Sequence, residues 1–358
     1  MKKFISKYKI LFSIVLIVII LLVLVFSFIL SKLSKLSYHD GSVQNEVVEG
    51  GDGLEDMENA EDETSDEETD NLVSEDEAII LGESDIILSD SEIMSDKDVF
   101  NILLLGTDER KEEFASNARA DSIMILSLDK KNKTMKLVSL QRGMGVPILS
   151  GKYEGEYDWI THVFKYGGAA LMLETVREML NIDVEYYARV NFNTFAQLID
   201  SVGGVDIELT AKEASALNGE IRTNAYAKHE MFEGMNRLDG YDALQYARLR
   251  YTDSDWKRIE RQRNVIQSVV LSAKDMSLLD LNNMLDTVLP LIQTNLTTMD
   301  ILGLISYAPA VLGREFEQMT IPAKDTYGSM KGMGGRYLYA VDYQKNSEIL
   351  HEFLYGED

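Results

Sequence analysis

Cysteine is absent from this 358-residue chain. That excludes a disulfide framework and any thiolate metal site. Histidine is scarce, four in all, and none stands close in sequence to the paired acids and arginines considered below. Carboxylate oxygen is therefore the ligand type available there. Basic residues are outnumbered, 35 against 60 acids, and no basic stripe runs along the chain. Such a balance argues against nucleic-acid binding. Residues 99–358 also lack any internal repeat or long low-complexity run, which argues against a repeat array.

The formal charge of −25 is unevenly placed. Residues 31–98 hold 23 acids and three lysines, whereas residues 99–358 hold 37 acids and 28 bases. The acidity belongs to a tail-like segment, and the length suits one large or two modest domains. Ile10 to Leu30 is a run of 21 positions broken only by Ser13 and Ser27. A helix of that length, rising about 1.5 Å per residue, spans the hydrocarbon of a bilayer. Lys2, Lys3, Lys7 and Lys9 precede it, which favours a cytoplasmic stretch 1–9 and an extracytoplasmic remainder. A cleaved signal peptide is the competing reading. The run is longer than a usual signal core, and Ser31-Lys-Leu-Ser-Lys lacks an Ala-x-Ala-type cleavage site. A single uncleaved transmembrane anchor over 10–30 is favoured. Residues 31–98 read as a disordered acidic linker, because their composition cannot bury enough apolar area to offset ordering. Ala78-Ile-Ile-Leu and Asp85-Ile-Ile-Leu within it are expected to be transiently helical at most.

The folded domain is expected over 99–358. Val99–Leu105, Asp121–Leu128 and Thr134–Leu140 read as buried strands, the last two joined as a hairpin across Asp129-Lys-Lys-Asn-Lys. Further strands are expected at Tyr186–Phe192, Val205–Leu209 and Phe316–Ile321. Helices are expected from Gly167-Gly168 to Leu180, from an Asn193 cap through Ile199, over Gly240–Tyr246, 256–274, 278–292 and 298–312, and over Gln344–Tyr355. Gly234–Asp239 reads as a loop. This interleaving predicts an α/β fold, a central mixed sheet covered by helices on both faces.

Five of the 14 arginines fall between Arg248 and Arg263. Arg248 and Arg250 share a face if the segment is extended. Ser254 offers a helix N-cap, after which Arg258, Arg261 and Gln262 share one helical face. A strand end feeding a helix would aim these forked, permanently charged groups at one anionic target, and phosphate suits them. The alternative is a surface salt-bridge face with Asp253, Asp255 and Glu260. Asp108 follows the first strand, Arg119-Ala-Asp121 precedes the second, and Arg142 follows the third. Strand ends are where α/β folds bind ligands. Asp108 and Asp121 together would suit a hard cation such as Mg²⁺ or Mn²⁺, with Arg119 and Arg142 beside a bridged phosphate. Alternatively Asp108 closes a turn while Arg119 and Asp121 pair with each other.

Taken together, Asn101-Ile-Leu-Leu-Leu-Gly-Thr-Asp108, Arg119-Ala-Asp-Ser-Ile-Met124, Leu137-Val-Ser-Leu-Gln-Arg142, Thr161-His162 with Tyr166-Gly-Gly168, Gly203-Gly-Val-Asp206, and Tyr246-Ala-Arg-Leu-Arg250 through Gln262 make the chain resemble the LytR-CpsA-Psr family of bacterial cell-wall enzymes. The resemblance covers about 99–355. It implies a membrane-anchored, extracytoplasmic phosphotransferase in a Gram-positive-type envelope. Such an enzyme moves an anionic glycopolymer, teichoic acid or capsule, from an undecaprenyl-pyrophosphate carrier to peptidoglycan. By the same resemblance Asp108 and Asp121 would hold the metal and Asp121 would act as base. Arg119, Arg142, Arg248, Arg250, Arg258, Arg261 and Gln262 would grip the pyrophosphate. His162 is expected to satisfy a backbone group, outside the catalytic set.

Two positions depart from the family pattern. Gly143 stands where an acid usually follows the arginine, so Arg142 is expected to be less fixed and its loop mobile. Trp159 stands where a lysine is common and is expected at the rim, stacked on a sugar ring. These departures sustain an alternative, a non-catalytic lipid-pyrophosphate or wall-polymer binding protein. A transcriptional regulator is the remaining reading; the anchor and the acidic body oppose it.

Overall fold

The structure, a computed structural model, describes residues 31, 32, 34–41, 72–109, 114, 118–223, 229–249, 254–274, 276–311 and 314–356. The expected cytoplasmic stretch 1–9, the anchor 10–30, the run 42–71 and Arg250 lie outside the described residues.

Among the described residues the first elements are β1 (Ser37–Tyr38) and α1 (Glu75–Leu81), followed by three long strands, β2 (Val99–Thr107), β3 (Ala120–Asp129) and β4 (Thr134–Leu140). Their near-continuous apolar sequence has a physical reason: both faces are covered. Alternate residues go to opposite sides. Leu103, Leu105, Ile123, Ile125, Val138 and Leu140 belong to one buried cluster. Leu104, Met124, Leu126, Leu128, Met135 and Leu137 pack in another.

Next come a small hairpin, β5 (Gly145–Pro147) with β6 (Tyr157–Trp159), and the long helix α2 (Ile160–Leu180). β7 (Tyr186–Asn191) returns to the sheet and leads into α3 (Phe192–Ser201). A lobe follows, made of β8 (Val205–Leu209), α4 (Ala211–Thr223), β9 (Gly234–Leu238) and α5 (Gly240–Arg248). Helices α6 (Asp255–Lys274) and α7 (Leu278–Val288), the short β10 (Gln293–Thr294) and α8 (Thr298–Val311) come next. The chain closes with β11 (Glu317–Ile321), the hairpin β12 (Tyr327–Lys331) and β13 (Tyr337–Val341), and α9 (Tyr343–Tyr355).

The main sheet has seven strands in the order β1-β10-β7-β2-β3-β4-β11. It is mixed: β2, β3 and β4 form an antiparallel meander, while β2–β7 and β4–β11 pair in parallel. Residues of α2 and α9 pack on one face, through Val163, Met172, Val176, Leu350 and Leu354. Residues of α6 and α8 pack on the other, through Ile266, Val270, Leu304 and Tyr307. The expected α/β sheet covered on both faces is therefore the architecture found.

Several local expectations are corrected. Gly234–Leu238 is a strand rather than a loop, because it pairs antiparallel with β8 along its length. Helix α2 begins at Ile160, before the two glycines, and Gly167 and Gly168 kink it, Gly168 with φ of 65°. The cap of α3 is Asn191, whose side chain accepts from Thr194 N, rather than Asn193.

The largest correction concerns the linker. Residues 72–98 are part of the fold, not a spacer. Ser74 caps α1 by accepting from Glu77 N, and Val73 and Ala78 join the main core. Bridges pair Glu83 with Ser329, Ile87 with Asp342 and Met94 with Ile182. The physical reason is that a few apolar residues suffice where a preformed surface, here β12, β13 and α2, supplies the rest of the contact. Composition averaged over 31–98 hides them.

Candidate functional site

Strands β2, β3, β4 and β7 present one common end, formed by the C-termini of β2, β4 and β7 and the N-terminus of β3. Thr107 is registered against Ala120, but Gly106 is registered against Ser122. Asp121 is thus the extra residue of a β-bulge. A bulge rotates the following pleat and re-aims a side chain. The narrow cleft at this end is lined by Asp121, Ser122, Ile123, Met124, Ser139, Leu140, Arg142, Arg258 and Gln262.

Arg142 sits at the floor, its side chain 6 % exposed. Its Nη1 donates to Asp121 Oδ1 at 3.2 Å, and its Nη2 and Nε approach Asp255 Oδ1 at 3.0 and 3.2 Å. Asp255 opens α6, where the helix N-terminus favours a carboxylate. Gln141 Nε2 donates to the same carboxylate, and Gln141 Oε1 accepts from Gly143 N at 2.8 Å. Arg258, one turn on, lies 3.5 Å from Asp255 Oδ1 and donates to the Asp121 carbonyl. Thr161 at the start of α2 clamps the frame: its N donates to Arg142 O and its Oγ1 to Ala120 O.

Asp108 and Arg119 stand at the same end of the sheet, beside the end of β2 and the start of β3. Asp108 Oδ1 accepts from Arg119 N at 3.0 Å and Oδ2 from Arg119 Nε at 3.1 Å. Arg119 therefore pairs with Asp108, and Asp121 with Arg142; the pairing of Arg119 with Asp121 considered from sequence is not the one found.

The remaining expected residues divide. Gln262 lines the cleft. Arg261 is buried elsewhere, Nε donating to Glu213 Oε1 and Nη1 to Leu249 O, so it ties α6 to α4 and to the end of α5. Burial alone would raise the Glu213 carboxyl, but Arg261 and Thr210 outweigh it and hold it below its ordinary range. Arg248 ends a helix instead of lying in an extended segment, and its guanidinium stacks over the Phe192 ring at 4.7 Å.

Both departures from the family pattern are built into the frame. Gly143 is pinned on both sides: its N donates to Gln141 Oε1 and its carbonyl accepts from Tyr339 N at 3.0 Å. A Cβ there would meet the Tyr339 ring at 3.1 Å and Leu72 at 3.3 Å. The expected loose Arg142 is corrected accordingly, since Asp255, supplied by another element, fixes it. Trp159 is 1 % exposed, with Nε1 donating to Tyr337 O, so it cannot stack on a sugar at the rim. His162 pairs with a carboxylate rather than a backbone group: Nδ1 lies 2.8 Å from Asp158 Oδ2, which also accepts from the Tyr166 hydroxyl.

Sequence reasoning missed the hub role of Asp255 and the second rank of residues. Arg189 is buried on β7, paired with Glu109 and donating to Thr107 Oγ1, directly behind Asp108. Tyr339 donates to Glu77 Oε1, fastening α1 behind the Gly143 turn. Asp255 had one available signal, its place at a helix start three residues before Arg258. Arg189 had none, since a lone arginine in a strand carries no pattern. A wider groove, lined by Asp200, Asp206, Glu208, Arg237 and Glu315, holds none of these groups. Its acid-rich wall suits phosphate poorly, because Arg237 is already paired with Asp206.

A sequence model of the LytR_cpsA_psr family matches residues 56–353. Among characterised relatives, the polyisoprenyl-teichoic acid–peptidoglycan teichoic acid transferase TagT of Bacillus subtilis (strain 168) is 31% identical over 259 residues, 72% of this chain and 76% of the relative. The like-named transferase TagU of Bacillus cereus is 34% identical over 219 residues, 60% of this chain and 64% of the relative. Among solved structures, "TagT bound to LIIa-WTA" superposes with a TM-score of 0.57 at 27% identity, covering 76% of this chain and 98% of that one.

Proposed function

The chain belongs to the LytR-CpsA-Psr family, and on that premise we propose that it is a glycopolymer transferase acting from a polyisoprenyl-pyrophosphate carrier onto peptidoglycan. The observation that carries the reading is the cleft in which Arg142 and Arg258 converge on Asp121 and Asp255. In the reaction the acceptor hydroxyl oxygen forms a bond to the phosphorus that bears the polymer. The bond from that phosphorus to the bridging oxygen breaks, and the polyprenyl phosphate leaves with the electron pair. Arg142 and Arg258, both buried, stabilise the charge that grows on the leaving phosphate. Arg119, more exposed, meets the outer phosphate oxygens. Asp121 accepts the hydroxyl proton.

Mg²⁺ fits the residues present. Asp108 and Asp121 flank adjacent strand ends and offer only oxygen, the donor set of a hard cation that retains water and shares phosphate oxygens. A bound Mg²⁺ would supply positive charge to the pyrophosphate. Asp108 and Asp121 would hold it, each exchanging part of its contact with an arginine for the ion.

Residues 10–30 serve in this reading as a single membrane anchor with the domain outside the cytoplasm. Among the described residues no helix is long and apolar enough to cross a membrane. The test is turnover of a polyisoprenyl-pyrophosphate-linked saccharide with and without Mg²⁺ for the wild type and Asp121→Asn. A wild type that needs the ion and a variant that loses most of its turnover support the reading. Metal-independent turnover unchanged by Asp121→Asn contradicts the metal assignment.

A further inference from the structure

Ser37 and Tyr38 join the sheet at a definite place. β1 pairs with β10 in parallel, Ser37 opposite Gln293 and Tyr38 opposite Thr294. β10 runs antiparallel to β7, with Gln293 opposite Arg189. Arg189 donates to Gln293 Oε1 on one side and to Thr107 Oγ1 on the other. Ser37 therefore enters at the same end of the sheet that carries Asp108, Asp121 and Arg142. Just before it, Lys32 and Lys35 both pair with Asp286 near the end of α7, at 2.5 and 2.6 Å. Just after it, His39 N donates to Thr294 O, the Tyr187 hydroxyl donates to His39 O, and Ala170 N donates to Gly41 O. An exposed ion pair alone is weak. Strand pairing together with two lysines on one carboxylate fixes the path.

Residues 31–36 separate Leu30, the last of the apolar run, from Ser37. Fully extended they would reach about 20 Å. The turn closed by Lys35 N on Lys32 O shortens them further. We infer that residues 31–38 are a short strap that holds the catalytic end of the sheet facing the lipid bilayer. This rests on the reading of 10–30 as a membrane anchor. The tether is then the short stretch before Ser37, because Gly41 and the buried Val73 both sit on the domain. A carrier lipid whose tail stays in the bilayer presents its pyrophosphate at the surface, where a strapped site meets it without a search.

The lack of cysteine allows single-site labelling of the full chain. Lys324 is exposed just beyond the catalytic end of β11, and Lys131 is exposed in the β3–β4 turn at the opposite end. The two lie roughly 25–30 Å apart along the strand direction. Lys324→Cys and Lys131→Cys would each carry a donor dye, with an acceptor on the headgroups of phosphatidylcholine–phosphatidylglycerol vesicles. Energy transfer at least about twofold stronger from position 324 is expected, and a spacer of about 20 Gly/Ser residues after Leu30 should abolish the difference. Equal transfer, stronger transfer from position 131, or a difference that survives the spacer would overturn the strap. A full chain that does not float with the vesicles would overturn the anchor reading, and the inference with it.

Discussion

Arg142 and Asp255, 113 residues apart in sequence, meet at the floor of the cleft through the guanidinium Nε at 3.2 Å and Nη2 at 3.0 Å from one carboxylate oxygen. Their union fixes both the β4 end and the first turn of α6. It also supplies, from a distant element, the acid that the position after Arg142 lacks. Asp255→Asn keeps the shape and removes the charge that orients the guanidinium. Breaking a largely buried pair in this way should cost roughly 3 kcal/mol. Thermal unfolding should show that loss, and turnover should fall at least about tenfold.

Gly143→Asp should not improve the enzyme. The new Cβ would press on Tyr339 and Leu72, and its carboxylate would join a site where Tyr339 already donates to Glu77. Overpacking of this kind costs about 1–3 kcal/mol. A lower urea midpoint with turnover no higher than wild type is the expected result.

A chain beginning at Ser95 should be markedly less stable than one beginning at Leu72. The shorter chain loses α1, the burial of Val73 and Ala78, and the bridges at Glu83, Ile87 and Met94. Loss of roughly 3 kcal/mol would lower Tm by more than about 5 °C. Differential scanning calorimetry of the two chains measures it.

The sheet was legible because β2, β3 and β4 are long apolar runs whose reading needs only neighbours in sequence. The anionic character of the site was legible for the same reason, since Asp108, Arg119, Asp121 and Arg142 adjoin those strands. Pairing was not. Whether Arg119 meets Asp108 or Asp121 turns on the bulge at Asp121, a register shift that no local pattern announces. Arg258 and Arg261 share a helical face by spacing, yet a neighbouring Glu213 draws Arg261 away. Trp159 and α1 were not legible for one cause: both are buried by partners far along the chain, Tyr337 and Ser329 among them.

Asp158 gives a pH signature. Burial by itself would raise its carboxyl, but the His162 ring, the Tyr166 hydroxyl and the Trp159 N–H outweigh that and hold it below 3.8. A depressed folded pKa contributes stability above the unfolded value and loses it as pH falls through the folded one. Asp158→Asn should therefore be less stable than wild type at neutral pH, with the gap closing below about pH 4. Denaturation series at pH 7 and pH 3 check the convergence.

The most direct test incubates the full chain, in membranes, with a polyisoprenyl-pyrophosphate-linked glycan and peptidoglycan fragments. Mass spectrometry then seeks glycan joined to peptidoglycan through one phosphate, with polyprenyl phosphate released. The account predicts that product from the wild type and none from Arg142→Ala that retains its fold by circular dichroism. Wild type that binds the lipid-linked glycan but never forms the product would contradict it and establish a binding protein instead.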